Sequence, residues 1–164
     1  MSAQFPVPPA PLPPAADDQA ARRRRIGLLA RADRAMLERA WDRLDPKPAF
    51  RRLKQPETGL AMVRARAGGN GQRFNLGEMT LTRCVVALDA AGIMGVGYVA
   101  GRDARRAELA ALFDALAQQP QHAATIETEL LTPVQQAAAA ARQARAAKVA
   151  ATKVDFFTLV RGED

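Results

Sequence analysis

The hydrophobic period of this chain changes twice, and that change limits what it can fold into. From Gly59 to Ala67 small or apolar residues recur at every second position (Ala61, Val63, Ala65, Ala67), while Arg64 and Arg66 share the other face. This is strand period. Gly68-Gly69-Asn70-Gly71 follows, with the chemistry of a hairpin turn in which positive φ is tolerated. Further β-prone runs are Gln72 to Leu76, Met79 to Leu88 and Ile93 to Ala100, the last two separated by Asp89-Ala90-Ala91-Gly92. Turns this short cannot carry a parallel crossover, so the runs predict an antiparallel meander.

Helical period flanks this middle. A first helix is predicted from about Gln19 to Arg31, where the carboxylates of Asp17 and Asp18 suit a helix N-terminus. Asp33 is the expected N-cap of a second, on which Leu37, Ala40, Trp41 and Leu44 form one apolar stripe. Pro46 and Pro48 stop it. Period 3.6 returns after Asp103, another expected N-cap, with Leu109, Leu112, Phe113 and Leu116 on one face and Pro120 beyond the end. After a short piece, Glu127 to Leu131, the tetrad Thr132-Pro133-Val134-Gln135 has capping-box form and opens an alanine-rich helix running to about Ala151. The chain closes on Val154 to Val160, a β-prone run in which Phe156 and Phe157 face opposite sides, so one side needs cover from elsewhere.

These elements predict an α+β fold: a single domain with an antiparallel sheet of about four to five strands, two N-terminal helices and two C-terminal helices. A length of 164 residues suits one domain and is short for two. Residues 1–18, proline-rich through Pro6, Pro8, Pro9, Pro11, Pro13 and Pro14, are expected to be a disordered tail, and residues 19–164 the folded domain. No uninterrupted apolar run is long enough to span a bilayer, and the start of the chain lacks the basic region of a secretory signal. With a single cysteine, the expectation is a cytoplasmic protein. Cys84 and His122, one of each type, cannot form a self-contained Cys/His zinc site or an iron–sulfur cluster; an all-carboxylate metal site stays open.

The net charge of +7 is unevenly placed, because Arg22 to Lys54 holds twelve Lys/Arg against four acids while the rest is close to neutral. Such a segment reads either as a solvated helical face or as a surface for an acidic partner. One function class it admits is a small nucleic-acid-binding module using residues 22–54. Aromatics at 5%, with Trp41 on an apolar stripe, leave few stacking platforms for that role.

No active site assembles from the candidate residues. The glycine turn at Gly68 lacks the lysine and hydroxyl of a nucleotide-binding loop and precedes no helix. Thr80, Thr82 and Arg83 lie in one β-prone run and read first as strand filler. Arg102 sits where a strand gives way to a helix, yet Asp103 already supplies the N-cap acceptor. Glu57 has no second carboxylate nearby, Cys84 beside Val85 and Val86 reads as buried, and His122 falls in a polar loop. Nothing joins Cys84 to His122 as a nucleophilic pair.

Several short stretches carry a resemblance. Glu57-Thr58-Gly59-Leu60, Arg66 with Gly68-Gly69-Asn70-Gly71, Arg73-Phe74, Gly77-Glu78 and Thr80-Leu81-Thr82-Arg83 are followed by Gly101-Arg102-Asp103, Ala107-Glu108, Asp114-Ala115-Leu116 and Ala141-Arg142-Gln143-Ala144. Val154-Asp155-Phe156-Phe157-Thr158 and Val160-Arg161-Gly162 complete the order. In sequence and spacing over roughly Arg25 to Asp164, this resembles the PhnG family of the bacterial carbon–phosphorus lyase system. The resemblance implies a non-catalytic accessory subunit working with PhnH, PhnI, PhnJ, PhnK and PhnL in phosphonate catabolism. It implies a complex that joins a phosphonate to the ribose C1 of ATP with loss of adenine, centred on PhnI. It also implies that the iron–sulfur cluster and S-adenosylmethionine belong to PhnJ and that this chain binds no cofactor itself. No catalytic or metal-ligating residue is carried over. Arg73, Arg83, Arg102 and Arg161 are the anion-binding or interface candidates.

Overall fold

The computed structural model describes residues 16–66, 71–89 and 92–152. The proline-rich start, the turn residues Gly68 to Asn70, the terminal run Val154 to Val160 and Arg161 lie outside the described residues. Helices α1 (Ala16–Leu29) and α2 (Arg34–Asp42) lead into strands β1 (Phe50–Arg66), β2 (Arg73–Leu88) and β3 (Met94–Ala100). Helices α3 (Ala104–Leu116) and α4 (Pro120–Ile126), a π-helical turn (Glu127–Leu131) and α5 (Thr132–Ala151) follow. The sheet order is β1-β2-β3, antiparallel throughout. No described helix is long and apolar enough to cross a membrane.

The fold class is as expected, with fewer strands: three among the described residues, not four to five. The runs Gln72 to Leu76 and Met79 to Leu88 are one strand, because the register irregularity between Val63 and Arg64, which skips Leu76, interrupts the β1–β2 ladder without ending it. β1 likewise starts well before Gly59. It carries Pro56 inside a strand, which an edge position and the irregularity between Lys54 and Glu57 both allow.

Helix α3 is the centre of the core. Every residue from Ala107 to Leu116 is buried, including Glu108 and Asp114. Its Leu109, Leu112, Phe113 and Leu116 belong to the same cluster as Leu28 and Leu29 of α1, Leu37 and Trp41 of α2, and Leu130 and Leu131. Its small face, Ala107, Ala111 and Ala115, lies on β3 at Gly95 and Gly97. A Cβ built on Gly97 would stand 2.0 Å from the Ala107 carbonyl oxygen, and one on Gly95 would stand 1.9 Å from that of Ala111. The helix backbone therefore rests directly on strand backbone, which only glycine permits. Gly101, at φ +90°, makes the turn from β3 into α3. Asp103 then caps α3 as expected, its carboxylate accepting the Arg106 N–H at 2.9 Å.

Two expected caps are absent. Asp33 holds the extended N-cap conformation of α2 but makes no side-chain cap bond. Thr132 is not an N-cap, because helix continues from α4 through the π turn into α5. The reason lies in Pro133, which has no N–H for a carbonyl in the preceding turn. The widened turn, in which the Thr132 N–H bonds the Glu127 carbonyl, sits immediately before it and brings Leu130 and Leu131 both into the core.

Candidate functional site

The arginine run Arg22 to Arg25 turns out to be mostly structural. Asp114, fully buried on α3, accepts hydrogen bonds from Arg22 (Nη2 at 2.8 Å, Nε at 3.4 Å) and from the Val96 backbone N–H at 3.1 Å. Arg25 Nε stands 3.5 Å from the same carboxylate. Arg24 reaches Glu127 at 3.1 Å and also Gln135. These bonds pin α1 across α3, β3 and the start of α5. Further along the basic segment, Arg34 pairs with Glu38 and Asp103, Arg43 with Glu129, Lys47 with Asp42, Arg52 with Glu108 and Lys54 with Glu57. Glu38 and Asp42 belong to the segment itself, and the other acids, counted elsewhere in the chain, are folded back onto it. A cleft of about 700 Å³ beside α1 is lined by Arg22, Arg23 and Arg25, but two of these three already face Asp114.

The sheet has one covered and one open face. Thr82, Cys84, Val86 and Leu88 of β2 point toward α3 together with Gly95, Gly97 and Val99 of β3. On the open face Arg83 lies between Glu57 of β1 and Tyr98 of β3. Arg83 donates hydrogen bonds to the Glu57 carboxylate, and Lys54 Nζ stands 3.2 Å from it. Both hold the Glu57 carboxyl below its ordinary value.

Arg73, Arg83 and Arg102 do not converge. Arg73 pairs with Arg66 at the far end of the hairpin, ten residues along β2 from Arg83, which is roughly 30 Å in an extended strand. Arg102 is exposed in the link from β3 to α3. Arg161 lies outside the described residues. Thr82 has no hydroxyl free for an anion: its Oγ1 donates to the Gly101 carbonyl at 2.6 Å and lies 3.1 Å from Thr58 Oγ1. Cys84 is buried, its Sγ–H directed to the Lys54 carbonyl at 3.4 Å, and burial pushes its thiol up to about 11. His122 is half-buried within α4, not in a loop, since Pro120 opens a helix there. Among the described residues no group of three or more His, Cys, Asp or Glu could hold a metal ion.

What the sequence did not reveal is the free half of the β1–β2 hairpin. β3 pairs with β2 only from Leu81 to Ala87, while β1 and β2 remain paired out to Arg66 and Arg73. Beyond Leu81, among the described residues, two strands run on without a third for seven or so residues, about 25 Å. Leu60, Met62, Phe74, Leu76 and Met79 are exposed along it. Its one legible signal was the apolar content of Leu60, Met62 and Leu76 in runs already read as strand.

Residues 20–162 match the family described as phosphonate metabolism protein PhnG. The chain is 48% identical over 150 residues to the alpha-D-ribose 1-methylphosphonate 5-triphosphate synthase subunit PhnG of Rhizobium meliloti (strain 1021), covering 90% of this chain and 95% of that protein.

Proposed function

The chain belongs to the PhnG family of phosphonate metabolism proteins, and from that premise we propose that it is a non-catalytic accessory subunit of a ribose 1-methylphosphonate 5-triphosphate synthase. In this role it works with PhnH, PhnI and PhnL while the ribose triphosphate part of ATP is transferred to methylphosphonate and adenine leaves. PhnJ and PhnK complete the surrounding carbon–phosphorus lyase system, with the iron–sulfur cluster and S-adenosylmethionine in PhnJ. The observation that carries the reading is 48% identity over almost the full length of a relative named as a subunit of that synthase.

The side-chain chemistry supports an assembly role over a catalytic one. The buried acids Asp114 and Glu108 are neutralised by Arg22, Arg25, Arg52 and Arg105, which leaves them no substrate to act on. The thiol of Cys84 is protonated at neutral pH and enclosed. Of the candidate arginines, Arg73 and Arg102 make no ion pair among the described residues and are the better positions for an anion or an acidic partner surface. Arg83 is held by Glu57.

Reconstituting the synthase with and without this chain tests the proposal. Adenine release from ATP and methylphosphonate should require its presence. Full-rate release from PhnH, PhnI and PhnL alone would overturn it.

A further inference from the structure

We propose that the free half of the β1–β2 hairpin is a docking arm, and that its occupant is a different protein subunit presenting an apolar cleft bordered by carboxylates. The inference rests on the subunit reading above and names the surface that reading requires.

The first observation is that the arm is uncovered. Helix α3 lies over Gly97 with Ala107 and over Gly95 with Ala115, so it starts near the arm and runs away from it. Leu60 pairs with Thr80, and Met62 with Glu78, on the face that α3 covers further along the sheet. There, with no described element above them, Leu60 is 68% exposed and Met62 54%. Leu76 is 62% exposed on the partner strand. A two-stranded ribbon is marginal in water without a third strand or a packed face, and a contiguous run of large apolar side chains on a folded protein marks an interaction surface.

Charge selects the occupant. Arg64, Arg66 and Arg73 stand at the distal end and make no ion pair among the described residues, in contrast to most cations of the N-terminal segment. A second copy of this chain is a poor fit. Arm laid on arm in parallel brings two sets of these arginines together. Laid antiparallel, it offers the three arginines of each tip only Glu78, the acid opposite Met62, with Glu57 beyond it already held by Lys54 and Arg83. Nucleic acid would satisfy the arginines and could stack on Phe74, the one ring among the described residues of the arm, but would leave Leu60, Met62, Leu76 and Met79 uncovered. A protein cleft with an apolar floor and acidic rim satisfies both. The edges of β1 and of β2 beyond Leu81, which pair with no other strand among the described residues, add peptide groups on which such a partner can lay a strand.

The test is co-expression of the full chain with PhnH, PhnI, PhnJ and PhnL, followed by affinity purification on one of them. Leu60→Ser with Leu76→Ser, and separately Arg64→Glu with Arg73→Glu, should each reduce the recovered chain by about tenfold or more. Val149→Ser, at a site 65% exposed on α5 and off the arm, should leave recovery unchanged. The same variants expressed alone should melt as wild type does, because these side chains are exposed. Arm variants recovered at wild-type level, alongside a wild-type chain that does assemble, overturn the arm and leave the subunit reading standing. A wild-type chain that is not recovered at all overturns the subunit reading. A lone chain that forms dimers dispersed by the Leu60 and Leu76 substitutions overturns the choice of occupant, and so does nucleic acid retained by wild type but lost on charge reversal.

Discussion

Gly97→Ala should be among the most damaging single-methyl additions to this protein. The added Cβ would stand 2.0 Å from the Ala107 carbonyl oxygen and 2.8 Å from the Ala111 nitrogen, where ordinary contact begins at 3.4 Å. Both neighbours are backbone atoms in the middle of a helix, so no side chain can rotate away. Helix and strand must separate locally by about 1.4 Å, the shortfall from contact distance. That displacement would loosen α3 from the sheet and disturb Leu109, Leu112, Phe113 and Leu116 on its other side. Overpacking usually costs about 1–3 kcal/mol, and the rigid neighbours place this case at about 3 kcal/mol or somewhat above. For a chain of this size that is a fall in Tm of roughly 6–12 °C, out of a total stability of about 5–15 kcal/mol. Gly59→Ala is the matched control, since a Cβ there meets nothing within 4 Å, and it should change stability by no more than about 0.5 kcal/mol. Urea unfolding and thermal melts of the full chain followed by circular dichroism would measure both. If Gly97→Ala melted with Gly59→Ala and wild type, the direct seating of α3 on β3 would be wrong.

Asp114→Asn keeps the shape but strands Arg25 beside a neutral group, and urea unfolding should show a loss of about 2–3 kcal/mol, below the full cost of breaking a buried pair because Arg22 can turn to solvent. The raised Cys84 thiol stabilises the fold fully below its ordinary value of 9.0, and this contribution is lost as pH rises from there through about 11; stability measured across that interval should fall less in Cys84→Ala, and alkylation of native Cys84 at pH 8 should be far slower than in urea. The depressed Glu57 carboxyl acts in the opposite sense, its contribution present above its ordinary 4.5 and lost as pH falls through its folded value; Glu57→Gln should remove this small component of acid sensitivity, measured in melts from neutral pH downward. In the reconstituted synthase, Cys84→Ala and His122→Gln should leave adenine release within about a factor of ten of wild type, and a dead variant that still assembles would show that this chain supplies chemistry.

Local patterning determined a great deal. Alternation on either side of a glycine-rich turn determined the antiparallel β1–β2 hairpin, and Asp103 three residues before the Arg106 N–H determined the start of α3. Both are relations between near neighbours, where geometry follows from spacing alone. Leu109, Leu112, Phe113 and Leu116 showed one buried face of α3. Ala107, Ala111 and Ala115, at the same helical spacing, were the legible trace of the other, but alanine is equally at home in exposed helix and so does not announce burial. Only the tertiary structure decided where the charges went. Arg22 meets Asp114 across 92 positions and Arg24 meets Glu127 across 103, so a count of charge along the chain gave an unbalanced basic segment where the fold has paired networks. The same holds for the docking arm. The runs that form it look like any strand in sequence, and what sets it apart is that β3 and α3 stop short of it, a fact about neighbours that no residue in the arm encodes.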